Sequence, residues 1–123
     1  MPGNDDPEGV DIAIDEARHV QGCDDRVVEF GDYTMISLGY SNPTPFDSPR
    51  ELPEDELYAR VAKLADGLGA CERTVFNLHV PPYDSGLDTA PALTEDLEVV
   101  MSGSAPKMIP VGSSAVRARS PSM

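Results

Sequence analysis

Apolar residues recur along the chain at two spacings, and the clearest run is helical. Leu57, Val61, Leu64, Ala65 and Leu68 fall at i, i+4, i+7, i+8 and i+11 and form one stripe. Pro53 supplies a helical φ in front of it. Glu54, Asp55 and Glu56 place negative charge at the positive end of the helix, and Gly69 is a natural stop. Val10, Ala13, Ile14 and Ala17 also recur at helical spacing, with Asp6 as a cap and Pro7 suited to a first turn. Val10, Ile12 and Ile14 alternate as a strand would, so both periods are open there.

The remaining apolar runs are short and β-prone. Val27 to Phe30 and Tyr33 to Leu38 are separated by Gly31-Asp32, and a two-residue link with Gly first favours a tight hairpin. Gly39 to Pro53 is a loop punctuated by Pro43, Pro45, Pro49 and Pro53, and its Tyr40–Pro45 part is either a border of a site at the strand end or, more simply, a plain proline-rich connection. Thr74 to Leu78 reads as a largely buried strand, and Pro81 and Pro82 stop its ladder. Leu97 to Met101 and Met108 to Val111 are weak strand candidates. Gly112-Ser113-Ser114 opens a helix with a serine cap. Strand, loop, helix and strand in this order predict an α/β fold, with an incomplete sheet and two to three helices. The stripe of Leu57, Val61, Leu64 and Leu68 is expected to face a sheet containing Val75 and Phe76.

Composition narrows the picture. Val, Ile, Leu and Phe number 27 of 123 residues, beside 12 Pro, 10 Gly and no Trp, so any core is thin. The chain carries 9 basic and 22 acidic residues, for a net charge of −13. Residues 1–32 and 33–106 carry −8 each, and 107–123 carry +3. Nucleic acid and anionic membranes need basic surface, so neither is expected as the main partner. The simplest use of so much acid is solubility. No apolar run reaches the ~20 residues of a membrane span, and Met1 is followed by Pro-Gly-Asn-Asp-Asp rather than an export signal, which makes a cytoplasmic location the expectation. Cys23 and Cys71 have no metal-site spacing and read as free thiols in that compartment.

Candidate chemistry gathers at two places. Pro2-Gly3-Asn4-Asp5-Asp6 taken alone is a turn with a helix cap. His79 stands where a probable parallel strand ends, and ligands of open α/β sheets gather at strand carboxyl ends. Taken alone it is equally a histidine satisfied by backbone. His19, near Asp15 and Glu16 on a polar helix side, reads as a surface histidine.

Together, Gly3-Asn4-Asp5-Asp6 and, 73 residues after Asp6, His79-Val80-Pro81-Pro82 resemble the calcineurin-like metallophosphoesterases. Val111-Gly112-Ser113-Ser114-Ala115-Val116-Arg117 is similar to the segment that leads into the last metal-binding stretch in one microbial branch. The resemblance implies part of an αββα metallophosphoesterase-type sandwich and a two-metal phosphatase, a hydrolase in which divalent ions (Mn, Fe or Zn) activate a hydroxide and clamp phosphate oxygens. It implies Asn4 as an amide-oxygen ligand and His79 as an imidazole ligand to the same ion. It implies Asp5 at the catalytic position that touches phosphate, where many members have a histidine, and Asp6 as its brace. A carboxylate at Asp5 repels phosphate at neutral pH unless protonated or screened by metal.

The family also uses Asp-x-His and Gly-Asp-x-x-Asp before this region and Gly-His-x-His after it. None of these occurs here. The expectation is therefore that residues 1–117 are an internal fragment of such a domain, from a mis-called start and an early or frameshifted end, followed by an unstructured tail at 118–123. Its substrate in the parent family is a phosphoester, and the chain alone is expected to be inactive. Two alternatives stand beside it: a non-enzymatic acidic binding module that recruits cations or a basic partner, and a poorly folded product. The metal reading carries a geometric consequence. Two ligands of one ion at about 2.0–2.2 Å cannot lie more than about 4.4 Å apart. Allowing for a loosened metal-free terminus, Asn4 and His79 are expected within roughly 8 Å, with Asp5 on the same rim.

Overall fold

The computed structural model describes residues 1–68 and 71–119. The chain order is α1 (Gly9–Glu16), β1 (Arg26–Phe30), β2 (Tyr33–Leu38), α2 (Glu54–Ala65), β3 (Thr74–Leu78), β4 (Thr89–Pro91), β5 (Met101–Ser102), β6 (Ala105–Pro106), β7 (Met108–Pro110) and α3 (Ser114–Arg119). The fold class is α/β. The main sheet runs β1-β2-β3, and two-stranded ladders β4-β7 and β5-β6 lie apart from it.

The hairpin forms as its turn demands. β1 and β2 pair antiparallel from Phe30↔Tyr33 outward, and Gly31 takes φ 57°. β2 then pairs parallel with β3, so the connection between them must cross the sheet, and α2 is that crossover. Ile36 registers with Phe76 and Leu38 with Leu78 on one face of the sheet. That face packs on Leu57, Val61 and Leu64 of α2, with Leu68 and Ala115 of α3 beside them. Burying each large aliphatic side chain contributes roughly 1.5–3 kcal/mol before entropy is counted, so this layer is the main store of stability. Ser113 caps α3, its Oγ accepting the Val116 amide at 3.1 Å. Glu54, in the first turn of α2, accepts from Ser113 Oγ (2.6 Å), Ser114 N (3.3 Å) and Ala115 N (3.0 Å) and so ties the two helix starts together.

Several expectations are corrected. Val75 lies on the sheet face away from α2 and is 40 % exposed, because strand side chains alternate and Phe76 takes the core side. β3 is half-buried rather than buried, since among the described residues only β2 pairs with it. Asp6 does not cap α1, whose N-cap is Glu8 with no side-chain hydrogen bond. Leu97 sits in a turn with φ 64° rather than in a strand. The expected run from Met108 to Val111 contains β7, and β5 begins at Met101, the last residue of the run from Leu97, while β4 and β6 had no legible pattern. Past β3 the bridge Pro82↔Ser113 forms through Tyr83 N and Pro81 O and never needs an amide from proline. Ala118 and Arg119 belong to α3 and not to a tail. Gly69, expected as a stop, and residues 120–123 lie outside the described residues. Cys23 is buried and Cys71 exposed, both as free thiols. Among the described residues no helix is long and apolar enough to cross a membrane.

Candidate metal site at the carboxyl ends of two parallel strands

Because β2 and β3 are parallel, their carboxyl ends lie on one edge of the sheet, and the chain leaves them at Gly39 and His79. The His79 amide donates to Leu38 O at 3.0 Å, which pins the histidine one residue beyond β3. Residues 1–6 run across this edge. Asn77 in β3 donates to Ser37 Oγ in β2 at 3.1 Å and reaches the Met1 sulfur at 3.7 Å.

Two glycines permit that crossing. A Cβ on Gly39 would fall 1.9 Å from Pro2 O, a clash that backbone cannot relieve cheaply. A Cβ on Gly3 would meet the His79 ring at 2.9 Å from Cε1, so the imidazole lies against bare backbone. The Gly3 amide donates to Asp6 Oδ2 at 2.7 Å, and the Asp6 amide returns to Gly3 O at 3.3 Å. Asp6 is thus spent on closing the turn that holds Asn4, which is why it is lost to α1.

Within this turn the Asn4 and His79 side chains meet. Asn4 Oδ1 lies 2.8 Å from His79 Nε2. Asn4 Nδ2 donates to Ser48 Oγ at 2.9 Å, and Asn4 O accepts the Arg50 amide at 3.0 Å. With Nδ2 donating to Ser48, the amide oxygen faces the imidazole. Asp5 is exposed beside Asn4, and its carboxylate makes no hydrogen bond among the described residues.

Ser48, Glu51, Arg50 and Asp24 were not singled out in the sequence, yet all four support this turn. Arg50 is 4 % exposed, pairs with Asp11 at 2.7 Å and with Asp24, and lies 4.5 Å over the Tyr40 ring. Asp24 also accepts the Gly39 amide at 2.6 Å. Glu51 accepts from Thr44 N and Ser48 Oγ, each at 2.9 Å, and from Thr44 Oγ1. Burial opposes ionisation of Glu51, but these donors outweigh it and hold the carboxyl below its ordinary range. The spacing of Ser48, Arg50 and Glu51 in the loop shows no regular period that could have marked them. The loop is therefore not a plain connection: Ser48 and Arg50 hold Asn4, while Asn42 to Phe46 line a cleft of about 710 Å³ shared with Tyr83, Leu93 and Ile109.

Among the described residues no group of three or more His, Cys, Asp or Glu stands together so that it could hold a metal ion. His19 is exposed, three residues past the end of α1.

No family model and no solved structure matches the chain. It is similar to the uncharacterized protein MJ1162 of Methanocaldococcus jannaschii, 31 % identical over 101 residues that make up 80 % of this chain and 43 % of the relative. The chain thus spans less than half the length of the curated relative it matches.

Proposed function

We propose that this chain is part of a metal-dependent phosphoester hydrolase domain of the calcineurin-like type, in which Asn4 and His79 hold one divalent ion. The observation that carries the reading is the 2.8 Å separation of Asn4 Oδ1 and His79 Nε2 at the carboxyl ends of parallel strands. Two donors of one ion at about 2.0–2.2 Å require a gap below about 4.4 Å, and the pair meets that limit. The donor types, one amide oxygen and one imidazole nitrogen, suit Mn, Fe or Zn. An ion bound there would supply Lewis-acid polarisation of a phosphoryl oxygen. Asp6 fixes the turn, the Gly3 backbone seats the imidazole, and Asp5 is the exposed group that would meet the phosphate.

Two protein donors fall short of the usual set for one ion and leave none for a second. The remaining ligands would come from sequence beyond these residues, and the greater length of the archaeal relative leaves room for them. The chain alone is then a weak cation binder and not a phosphatase. Titration with Mn²⁺, followed by calorimetry, is expected to show one weak site that disappears in Asn4→Ala and in His79→Ala. Aryl phosphate hydrolysis in Mn²⁺ is expected to stay at background. Cation binding untouched by both substitutions would remove the metal reading. Turnover that survives repurification and vanishes in either variant would overturn the incompleteness.

A further inference from the structure

The Asn4 amide has two chemically different ends, and only its oxygen can serve a cation. The loop between β2 and α2 decides which end faces His79. Glu51 Oε1 takes hydrogen bonds from Thr44 N, from Thr44 Oγ1 and from Ser48 Oγ. An ionised carboxylate accepts only, so the single Ser48 hydroxyl hydrogen points at Glu51 and its lone pairs are left for Asn4. A lone pair takes an N–H and repels a carbonyl oxygen. Nδ2 therefore sits at Ser48, 2.9 Å away, and Oδ1 is left at His79. Turning the amide over would set oxygen against oxygen at Ser48. Two residues later in the same loop the Arg50 amide holds Asn4 O at 3.0 Å, so main chain and side chain of Asn4 are gripped by one short segment.

We infer that Ser48 and Glu51 are positioning residues, which fix the Asn4 amide with its oxygen toward His79 and so prepare the cation pair. This inference rests on the metal reading for its purpose but not for its geometry. A merely structural role, bracing the proline loop, would change stability and leave the amide where it is. Ligand-orienting partners of this kind typically change metal affinity by about 10–100-fold when removed.

The test uses the whole chain with two readouts. In the metal-free protein, the Asn4 side-chain NH₂ signals are followed by ¹⁵N-correlated NMR. Separately, Mn²⁺ affinity is measured by calorimetry. Ser48→Ala is expected to shift the Asn4 NH₂ pair and to weaken Mn²⁺ binding about tenfold. Ser48→Thr keeps the hydroxyl and is expected to restore both. Glu51→Ala releases the Ser48 hydrogen and is expected to broaden or double the Asn4 signals as two orientations exchange. Unmoved Asn4 signals in a folded Ser48→Ala variant would overturn the inference. If Ser48→Ala fails to fold, Glu51→Ala decides it, since a structural role predicts a single wild-type set of Asn4 signals there, and that result would overturn the inference. Mn²⁺ binding unchanged in Asn4→Ala would sink the cation reading by itself, while the amide signals would still settle the positioning role.

Discussion

Arg50 keeps a full charge while only 4 % exposed, and its surroundings show how. Asp11 and Asp24 pair with it, and the Tyr40 ring faces its guanidinium at 4.5 Å. Burial works against the charge, but these carboxylates outweigh it and raise the guanidinium above its ordinary value. Removing one partner of a buried pair leaves the other uncompensated. Arg50→Met is therefore expected to cost about 3 kcal/mol in urea unfolding, and adding Asp24→Asn should recover part of that. Asp88 is the second buried charge, 3 % exposed. Burial pushes its carboxyl up, but the amides of Gly112 (2.9 Å), Asp84 (2.8 Å) and Ser85 (3.2 Å) together pull it below the ordinary range. A lowered carboxyl pKa gives stability that is complete above the unfolded value, near 4, and is lost as pH falls through the folded value. Melting followed by circular dichroism should thus show Asp88→Asn less stable than the parent at pH 7, with the gap closing toward pH 3. A gap that stays constant with pH would remove Asp88 from the acid response. Neither charge was legible in the sequence, where one base among 9 or one acid among 22 looks like any other.

At the scale of elements, α2 was the most legible, because a stripe at helical spacing between a proline and a glycine has one physical solution. Its apolar face is buried at Leu57, Val61 and Leu64, as the spacing requires. Leu57→Ala is expected to cost about 3 kcal/mol, since its site lies between sheet and helix with little freedom to collapse. Val27→Thr on β1, 46 % exposed, should change stability by less than about 0.5 kcal/mol. Equal losses in the two variants would mean that the core is not where this packing puts it. The hairpin was legible for the same local reason, a two-residue link beginning with glycine. α1 was legible only in part, since helical and strand periods both fitted Val10 to Ile14 and the expected cap did not form. The Asp6 carboxylate instead accepts the Gly3 amide. β7 falls within the run from Met108 to Val111, while β4, β5 and β6, two or three residues long, carry too few positions to show any period.

The whole molecule leaves its main sheet with two outer edges, since among the described residues β1 and β3 each pair only with β2. Unpaired edges are templates for association, and Val75 adds an exposed apolar side chain beside one of them. The chain is expected to bind an apolar-surface dye strongly. Val75→Lys is expected to reduce both dye emission and self-association measured by light scattering, with little change in melting temperature. A dye-silent monomer before substitution would count against the open sheet. The sequence by itself determined the α/β class, the hairpin, the crossover helix with its buried face and the serine-opened last helix, because each is set by neighbours within about a dozen residues. It also picked out Asn4 and His79. Only the tertiary structure decided that these two lie 2.8 Å apart, that Ser48 and Glu51 orient the amide between them, and that Val75 faces away from the core. Those facts depend on the parallel pairing of β2 with β3 and on residues 1–6 crossing the strand ends, contacts between segments tens of residues apart that no local pattern encodes.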